Sequence, residues 1–422
     1  MEILQVMKGF KMNNILKISY RNLLRNHRRT LLTSSLITLG VVFVLVYTAM
    51  SGSFKDYMIS QITDSSMGHL QIHKKGFVAS VENLPLDKNL NAASIEFIEK
   101  ILKNSKYVES YSFRIKFGAM FSNFVETTNI RLNAINPDQE FMTLPTLKDR
   151  LLNFKGELKK GEIIVPEIIS QGMGVKTGDP IVLVANNKSG SVNGVNLKIA
   201  GEVERISGPG GRDGYIHIYD AKKVLRIKGV EVSEIVVRLK DVSMLKDAIQ
   251  ELKPILNKLN KKDKPAFEIH TWEKLSPFYN IIKMIDVMNI AIQIILISIV
   301  LISILNVMIM SVYERIKEIG TISAMGTPPK TIVKLFLTEG LLLGIFGAIV
   351  GGVVSVVIVE ILDLIKITYS FGRETGLILS PSLSFNEVLT VGIIVIVISL
   401  IASISPALKA SKLDPVEALR TN

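Results

Sequence analysis

The sequence of 422 residues contains no cysteine. This absence excludes disulfide bonds, thiolate-bound metals, iron–sulfur clusters and cysteine nucleophiles. The dipeptide Gly-Lys is also absent, so the chain has no P-loop with which to bind ATP. The G-x-S-x-G and H-E-x-x-H motifs of hydrolases do not occur either. We therefore expect no enzymatic activity in this chain, with no catalytic residue, no metal site and no bound cofactor.

Basic residues outnumber acidic residues by 50 to 38, and the excess is concentrated near the N-terminus. Residues 1–29 carry seven Lys and Arg against one acidic residue, Glu2. Without a DNA-reading motif, such a cluster is typical of the cytoplasmic flank of a membrane span. We expect membrane lipids, and no nucleic acid, among the partners.

Four uncharged apolar runs each reach the roughly 20 residues that a helix needs to cross a bilayer. They are Thr30–Phe54, Val287–Tyr313, Gly340–Val359 and Val388–Leu408. The sequence therefore predicts an α-helical membrane protein with four transmembrane helices. A signal peptide is a less favoured interpretation of the first run, because its apolar stretch exceeds the usual ~7–15 residues.

Lys and Arg are enriched before the first span, between the second and third spans, and after the fourth. The positive-inside rule places these segments, and hence both termini, in the cytoplasm. The sequence thus predicts the following organisation: a cytoplasmic amphipathic helix at 1–29, a first span at 30–54, an extracytoplasmic domain at 55–278, a second span with a stalk at 279–313, a cytoplasmic helix at 314–330, a third span at 335–360, a short outer loop at 361–386, a fourth span at 387–408 and a cytoplasmic tail at 409–422.

In the N-terminal segment, helical spacing gathers large apolar side chains on one face: Leu16, Tyr20, Leu23 and Leu24. Another face carries arginines: Arg21, Arg25 and Arg28. Basic amphipathic helices lie in the membrane interface with the apolar face in the lipid. We expect this helix on the inner leaflet, and a solvated tail is the less favoured alternative.

Residues 55–278 contain short β-rich runs and two segments of helical spacing, which predict a large α+β domain of two lobes. The predicted strands are Gly68–His73, Tyr107–Phe121, Thr128–Ile135, Ile181–Ala185, Val195–Ile206, Tyr215–Tyr219 and Ile235–Leu239, and the predicted helices are Ala92–Leu102 and Met244–Leu259. We expect the stretch Gly161–Val184 to open the second lobe. The glycine-rich run Ser207–Gly214 predicts a hairpin tip, which we favour over a phosphate-binding loop because no helix follows it.

Two histidines, His69 and His73, are four residues apart, a spacing that places two metal ligands on one face of a helix. Here Leu70 and Ile72 alternate with the polar residues, which is the pattern of a half-exposed strand. We therefore interpret both histidines as surface residues rather than metal ligands.

The third span carries two pairs of glycines at small-xxx-small spacing: Gly340 with Gly344 and Gly347 with Gly351. Such glycines allow another helix to approach closely, so we predict a packing role rather than a pore-lining role. Glu339 lies just inside the same span, where an ionisable group is costly and usually has a partner.

The segment between the second and third spans has apolar residues at helical spacing: Ile316, Ile319, Ile322 and Met325. Charged residues occupy the other face: Glu314, Arg315, Lys317 and Glu318. Gly326 and the following prolines end the pattern, which predicts a short amphipathic helix. Periodicity alone favours neither a solvated loop element nor a projection that fits a cytoplasmic partner.

Two stretches, ERIKEIGTISAMGTPPKTIVKLFLTEGLLLGIFGAIVG at 314–351 and SPALKASKLDPVEALR at 405–420, resemble the hallmark segments of FtsX-like ABC transporter permeases. The order of segments is one span, a large outer domain and three further spans. This order is similar to that of the macrolide-exporter (MacB-type) and lipoprotein-releasing (Lol-type, LolC/LolE-like) branches of this family. The resemblance covers essentially the whole chain.

This resemblance implies that the helix after the second span couples the permease to a separate cytoplasmic ABC ATPase dimer. The implied coupling residues are Glu314, Arg315, Ile316, Lys317, Glu318, Ile319, Gly320, Ile322, Met325 and Gly326. ATP and Mg²⁺ are then bound by the ATPase, and a second permease chain, identical or related, completes the unit. In such permeases the first two spans transmit the movement of the ATPases to a MacB-like periplasmic core domain.

The leading hypothesis is a permease subunit in the inner membrane that extracts lipoproteins or another lipidic substrate from the outer leaflet, with a periplasmic lipoprotein carrier as a further partner. One alternative is a split efflux permease for drugs or peptides, since macrolide exporters carry a fused ATPase that this sequence lacks. Another is FtsX-like signalling to a cell-wall hydrolase, which the size of the outer domain disfavours.

Overall fold

The computed structural model describes residues 12–25, 27–204, 213–257, 260–261, 264–371 and 374–420. The chain divides into two compact units, a helical unit of Met1–Asp56 with Lys283–Asn422 and an α/β unit of Tyr57–Ile282. Residues 207–212 of the predicted hairpin tip Ser207–Gly214 lie outside the described residues. A strand begins at Asp213, within the predicted tip.

Thirteen α-helices are formed by the described residues. In chain order they are α1 Met12–Arg25, α2 His27–Ile62, α3 Ala92–Asn104, α4 Pro137–Thr143, α5 Glu167–Met173, α6 Ile218–Val224, α7 Leu245–Leu256, α8 Trp272–Leu275, α9 Tyr279–Glu314, α10 Ile316–Ala324, α11 Pro329–Ile365, α12 Phe385–Ser411 and α13 Pro415–Arg420.

Sixteen β-strands lie in the same described ranges. In chain order they are β1 Leu70–Lys74, β2 Leu90–Asn91, β3 Val108–Ser122, β4 Thr127–Ile135, β5 Leu151–Leu152, β6 Glu162–Pro166, β7 Pro180–Asn186, β8 Val192–Val203, β9 Asp213–His217, β10 Glu231–Val232, β11 Glu234–Leu239, β12 Asn260–Lys261, β13 Lys264–Pro265, β14 Phe267–Thr271, β15 Thr368–Phe371 and β16 Glu374–Ile378.

Helices α2, α9, α11 and α12 are the four, among the described residues, that are long and apolar enough to cross a membrane. This confirms the predicted number of spans. Each helix contains its apolar run and extends beyond it, because polar residues continue a helix as long as its backbone hydrogen bonds remain intact. Helix α11, for example, begins at Pro329 rather than at residue 335. Proline suits the first helical position, where an N–H has no partner in the helix.

The glycines of α11 lie where neighbouring helices approach most closely. A Cβ atom built on Gly340 would lie 2.8 Å from Cβ of Ser403 on α12. A Cβ atom built on Gly344 would lie 2.7 Å from Cβ of Ser399, also on α12. A Cβ on Gly351 would lie 2.7 Å from Cβ of Val41 on α2, and Gly347 faces α2 in the same way. Since no side chain fits these distances, α11 contacts α12 and α2 through its backbone.

We expect Gly351→Ala to lower the free energy of unfolding by about 1–3 kcal/mol, the usual cost of overpacking a tight contact. The measurement is thermal denaturation of the full chain in detergent. Gly52→Ala on α2 is the matched control, since a Cβ added at Gly52 would meet no atom within 4 Å. An equal midpoint for both variants would contradict the tight contact between α11 and α2.

In the α/β unit, the 15-residue strand β3 belongs to two sheets. Its first half pairs with β11, and its second half, from Ile115 to Ser122, pairs with β4. The first lobe is the antiparallel sheet β14–β1–β11–β3, against which α3 and α7 pack. The two-lobed α+β fold is therefore as predicted, but the second lobe does not open at Gly161, because β3 and β4 already supply two of its strands.

The second lobe is a closed ring of six strands within the described residues. The pairs β3–β4, β4–β9, β9–β6, β6–β8, β8–β7 and β7–β3 complete the circuit. Alternate residues of these strands are buried, including Phe117, Phe121, Leu132, Ile181 and Leu183. A closed barrel has an interior filled by such alternating side chains and leaves no unpaired strand edge.

The prediction of exposed histidines was wrong. His69 and His73 are 3% and 1% exposed, because β1 is a central strand between β11 and β14 and both of its faces are covered. His69 accepts a hydrogen bond from the backbone N–H of Leu239 (3.0 Å), and His73 Nε2 lies 3.4 Å from Glu234. No cluster of three or more potential metal ligands occurs among the described residues.

A buried charge cluster lies on β3 at the point where its pairing passes from one lobe to the other. Arg114 is 2% exposed and donates to Glu140 (2.7 Å) and Glu234 (3.2 Å), while Lys116 lies 3.0 Å from Glu234. Burial alone raises the pKa of Glu234, but Lys116, His73 and Arg114 outweigh burial and lower that pKa below its ordinary value. The cluster therefore joins β3 to β11 and to helix α4.

Arg114→Met leaves the buried carboxylate of Glu140 without a cation and removes one of the two cations, Arg114 and Lys116, beside Glu234, so we expect the α/β unit to lose about 3–5 kcal/mol of stability. Denaturant unfolding of the full chain can be followed by the emission of Trp272, the sole tryptophan, which is buried in this unit. Lys103→Met removes an exposed partner of Glu99 and should change stability by less than about 1 kcal/mol. Equal losses in the two variants would count against the cluster.

Candidate functional site

The predicted coupling helix is present as α10. Helix α9 ends at Glu314, and the backbone of Arg315 leaves the helical conformation (φ −110°, ψ 19°), so the chain turns before α10 begins at Ile316. Gly326 ends this segment with a φ of +91°, a conformation that favours glycine.

Helix α10 is amphipathic. Ile319 is buried and Ile316 and Ile322 are half-buried, whereas Lys317 and Glu318 are exposed. Met325 is 73% exposed, contrary to its predicted place on the apolar face, because it lies beyond the last helical residue, where the helical period no longer applies.

The sequence predicts Arg315 on the charged face of the helix, but the structure buries it with 6% of its surface exposed. Its Nη1 donates to Glu339 Oε1 (2.9 Å), its Nε donates to Glu318 Oε2 (2.9 Å), and the guanidinium lies 5.8 Å from the ring centroid of Phe336. Glu339, 1% exposed, also accepts from Asn22 Nδ2 of α1 (3.1 Å). The partner expected for Glu339 is therefore Arg315, and the pair joins the start of α10 to α11 and α1.

The charges in this cluster stabilise one another. Burial lowers the pKa of Arg315, but the carboxylates of Glu339 and Glu318 outweigh burial and raise it above its ordinary value. Burial raises the pKa of Glu318, but Arg315 and Arg25 outweigh it and lower that pKa. Both groups of the Arg315–Glu318 pair are thus held in the charged form.

Gly320 is the point at which α13 crosses α10. A Cβ on Gly320 would lie 2.7 Å from Cβ of Ala418, and the carbonyl of Pro415 lies 3.6 Å from it. Sequence reasoning missed this contact. The signal was a glycine inside a short helix, which costs about 1 kcal/mol relative to alanine and therefore indicates a close approach.

A row of polar contacts joins α2 to α9. Asn289 Oδ1 accepts from Tyr47 (2.9 Å) and Ser51 (2.6 Å). On either side of Asn289 along α9, Gln293 donates to Thr48 (3.0 Å), and Asp286 pairs with Lys55 (2.7 Å). In apolar surroundings such interhelical hydrogen bonds hold helices together, so α2 and α9 are linked to each other along this row.

The α/β unit carries a cleft of about 900 Å³ between residues 82–87 and strands β3, β4 and β7. Its lining combines apolar side chains such as Leu84, Met120 and Val184 with polar ones such as Asn129 and Asn186. Sites for small molecules have this size and this mixture of surfaces.

Two known families match this chain. The MacB-like periplasmic core domain matches residues 30–255, and the FtsX-like permease C-terminal domain matches residues 290–415. The chain belongs to this family of ABC transporter permeases, in which a MacB-like periplasmic core domain is combined with an FtsX-like permease domain.

Several curated proteins are similar to this chain at low identity. The lipoprotein-releasing system transmembrane protein LolC of Xylella fastidiosa (strain 9a5c) is 24% identical over 68% of this chain and 72% of its own length. LolC of Haemophilus influenzae is 21% identical over 93% of both chains. The ABC transporter permease YtrF of Bacillus subtilis (strain 168) is 23% identical over 95% of this chain and 97% of its own length.

We expect Arg315→Met to destabilise the helical unit by about 3–5 kcal/mol, because Glu339 stays buried without its cation. The double variant Arg315→Met, Glu339→Met should recover most of this loss, since an apolar pair replaces an ion pair with little change in stability. Thermal denaturation in detergent measures both effects. A double variant less stable than the single one would show that Glu339 is stabilised by groups other than Arg315.

Proposed function

We propose that the chain is the permease subunit of an ATP-driven transporter that extracts lipoproteins or another lipidic substrate from the outer leaflet of the inner membrane and releases them. The observation that carries this proposal is the anchoring of α10. Its start is held by the Arg315–Glu339 pair and Ile319 on its apolar face is buried, while Lys317 is exposed for a partner. That partner is a separate cytoplasmic ATPase dimer, which binds ATP and Mg²⁺.

The path of movement follows the covalent chain. Helix α10 follows α9 directly, and the polar row between Asn289 and Tyr47 or Ser51 joins α9 to α2. The chain passes from the helical unit into the α/β unit through these same two helices. ATP-driven displacement of α10 therefore reaches the α/β unit, which lies on the periplasmic side when both termini are cytoplasmic. A second permease chain, identical or related, completes the transporter.

The lipidic nature of the substrate is supported by the spans. Their apolar runs contain no charged residue, and the polar side chains of α2 and α9 bond to each other instead of lining a hydrophilic path. Two of the relatives described above are lipoprotein-releasing system proteins. A periplasmic lipoprotein carrier would receive the released cargo.

Export of a drug or peptide is the second candidate, and the cleft of about 900 Å³ beside β3 favours it. A site of this size holds a small molecule or a short peptide.

The test is reconstitution of the full chain with its co-purified ATPase in proteoliposomes containing a fluorescent triacylated lipopeptide. We expect ATP-dependent transfer of the lipopeptide to an acceptor, and loss of transfer when residues 316–325 are deleted, because the ATPase then has no attachment. The variant Asn129→Ala, in the cleft, should transfer normally.

Two results would contradict this assignment. Normal transfer by the deletion variant would exclude coupling through α10. ATP-dependent drug or peptide transport without lipopeptide transfer, sensitive to Asn129→Ala, would favour the second candidate.

A further inference from the structure

Helix α1 is packed against the rest of the helical unit along one face. Ile15, Ser19 and Leu23 on that face are 7%, 0% and 8% exposed, and Ser19 Oγ donates to the backbone carbonyl of Leu335 on α11 (3.3 Å). The predicted apolar face is therefore divided, because Leu23 is buried in the protein while Leu16, Tyr20 and Leu24 are about half exposed.

Two polar contacts attach α1 to the cluster of Arg315, Glu318 and Glu339. Arg25, the last residue of α1, forms an ion pair with Glu318 of α10. One turn earlier, Asn22 donates to Glu339 (3.1 Å), the carboxylate that also accepts from Arg315. Helix α1 therefore contacts the exposed charge of α10 and the buried charge beneath it.

The other end of this connection is α2. Helix α2 begins at His27, two residues after α1 ends, and Thr30 Oγ1 of α2 donates to the backbone carbonyl of Leu23 on α1 (2.7 Å). This bond ties the last turn of α1 to the first turn of α2. A displacement of α1 is thereby passed to the beginning of α2.

Helix α10 is joined by short segments of chain to α9 and α11, but not to α2. We propose that α1 is a transmission arm, that is, a helix that passes the movement of α10 to α2. The Arg25–Glu318 pair is the contact between α1 and α10, and Glu339 holds α1 in place. This inference rests on the proposed function, since it requires an ATPase that moves α10. The positioning residues are Asn22, Arg25 and Glu318.

The nature of the Arg25–Glu318 pair makes the inference testable. Both side chains are about half exposed, and exposed ion pairs contribute little to folding stability. A variant at Arg25 is therefore expected to fold and to bind the ATPase normally, so that a loss of transfer reflects lost coupling.

The experiment uses the full chain with its co-purified ATPase and the fluorescent triacylated lipopeptide. Arg25→Ala and Glu318→Ala should each lower the amount of lipopeptide transferred per ATP hydrolysed by about 5-fold, the lower end of typical coupling between sites. The double variant should be no worse than Glu318→Ala alone, because that single variant already removes the contact with Arg25. Arg25→Lys should restore transfer.

Arg21→Ala is the matched control. Arg21 is an exposed cation on the same helix, so the variant removes the same charge from α1 and should leave transfer unchanged. Equal losses for Arg21→Ala and Arg25→Ala would mean that α1 serves only to bind the membrane surface, and would overturn the transmission arm.

A second readout separates the routes of movement. The absence of native cysteine allows one label at Leu32→Cys near the start of α2 or at Met310→Cys near the end of α9, both exposed positions. Arg25→Ala should reduce the ATP-dependent emission change at position 32, since the polar row remains as a second connection between α9 and α2, and should preserve the change at position 310. A preserved change at both positions would overturn the inference, whereas a wild-type complex without ATP-dependent transfer would overturn the proposed function instead.

Discussion

The helical unit depends on one electrostatic constraint, which is that a carboxylate enclosed by apolar helices must have a cation beside it. Glu339 is enclosed on α11, and Arg315 supplies the cation from the turn between α9 and α10. The Arg315–Glu339 pair therefore holds that turn against α11. Asn22 and Glu318 complete the same network from two further elements. The buried charge of Glu339 is thus satisfied by the residue that directly precedes α10.

The glycines of α11 provide the complementary constraint of shape. Because α12 lies against Gly340 and Gly344, and α2 against Gly351, the backbone of α11 is held between two helices. Ser399 further donates to the carbonyl of Gly340 (2.6 Å). Helix α11 is therefore held in the helical unit by close backbone contacts with both α12 and α2.

Much of the fold was predictable from the sequence because it depends on local properties. The apolar runs predicted four spans, and the alternation in segments such as Thr128–Ile135 predicted strands that the structure contains. The alternation around β1 was read correctly as a strand but misread as half-exposed, since a period of two cannot show whether a second layer covers the polar face. His69 and His73 were misplaced for that reason.

The contacts of the site were less accessible to sequence reasoning. The need of Glu339 for a partner follows from its position in a span, but the identity of Arg315 as that partner depends on the backbone turn after Glu314. The Arg114 cluster was not foreseen either, because the register that sets Arg114 opposite Glu234 arises from pairing between strands far apart in sequence. Such pairings are tertiary facts and leave no mark in local composition.

The closed ring of β3, β4, β9, β6, β8 and β7 has a consequence for how the α/β unit responds to load. Each strand of the ring is hydrogen-bonded on both sides, so sliding one strand requires two ladders of hydrogen bonds to break together. The lobe therefore behaves as a stiff body, and mechanical work delivered to it appears as displacement of the whole lobe and not as stretching of its strands.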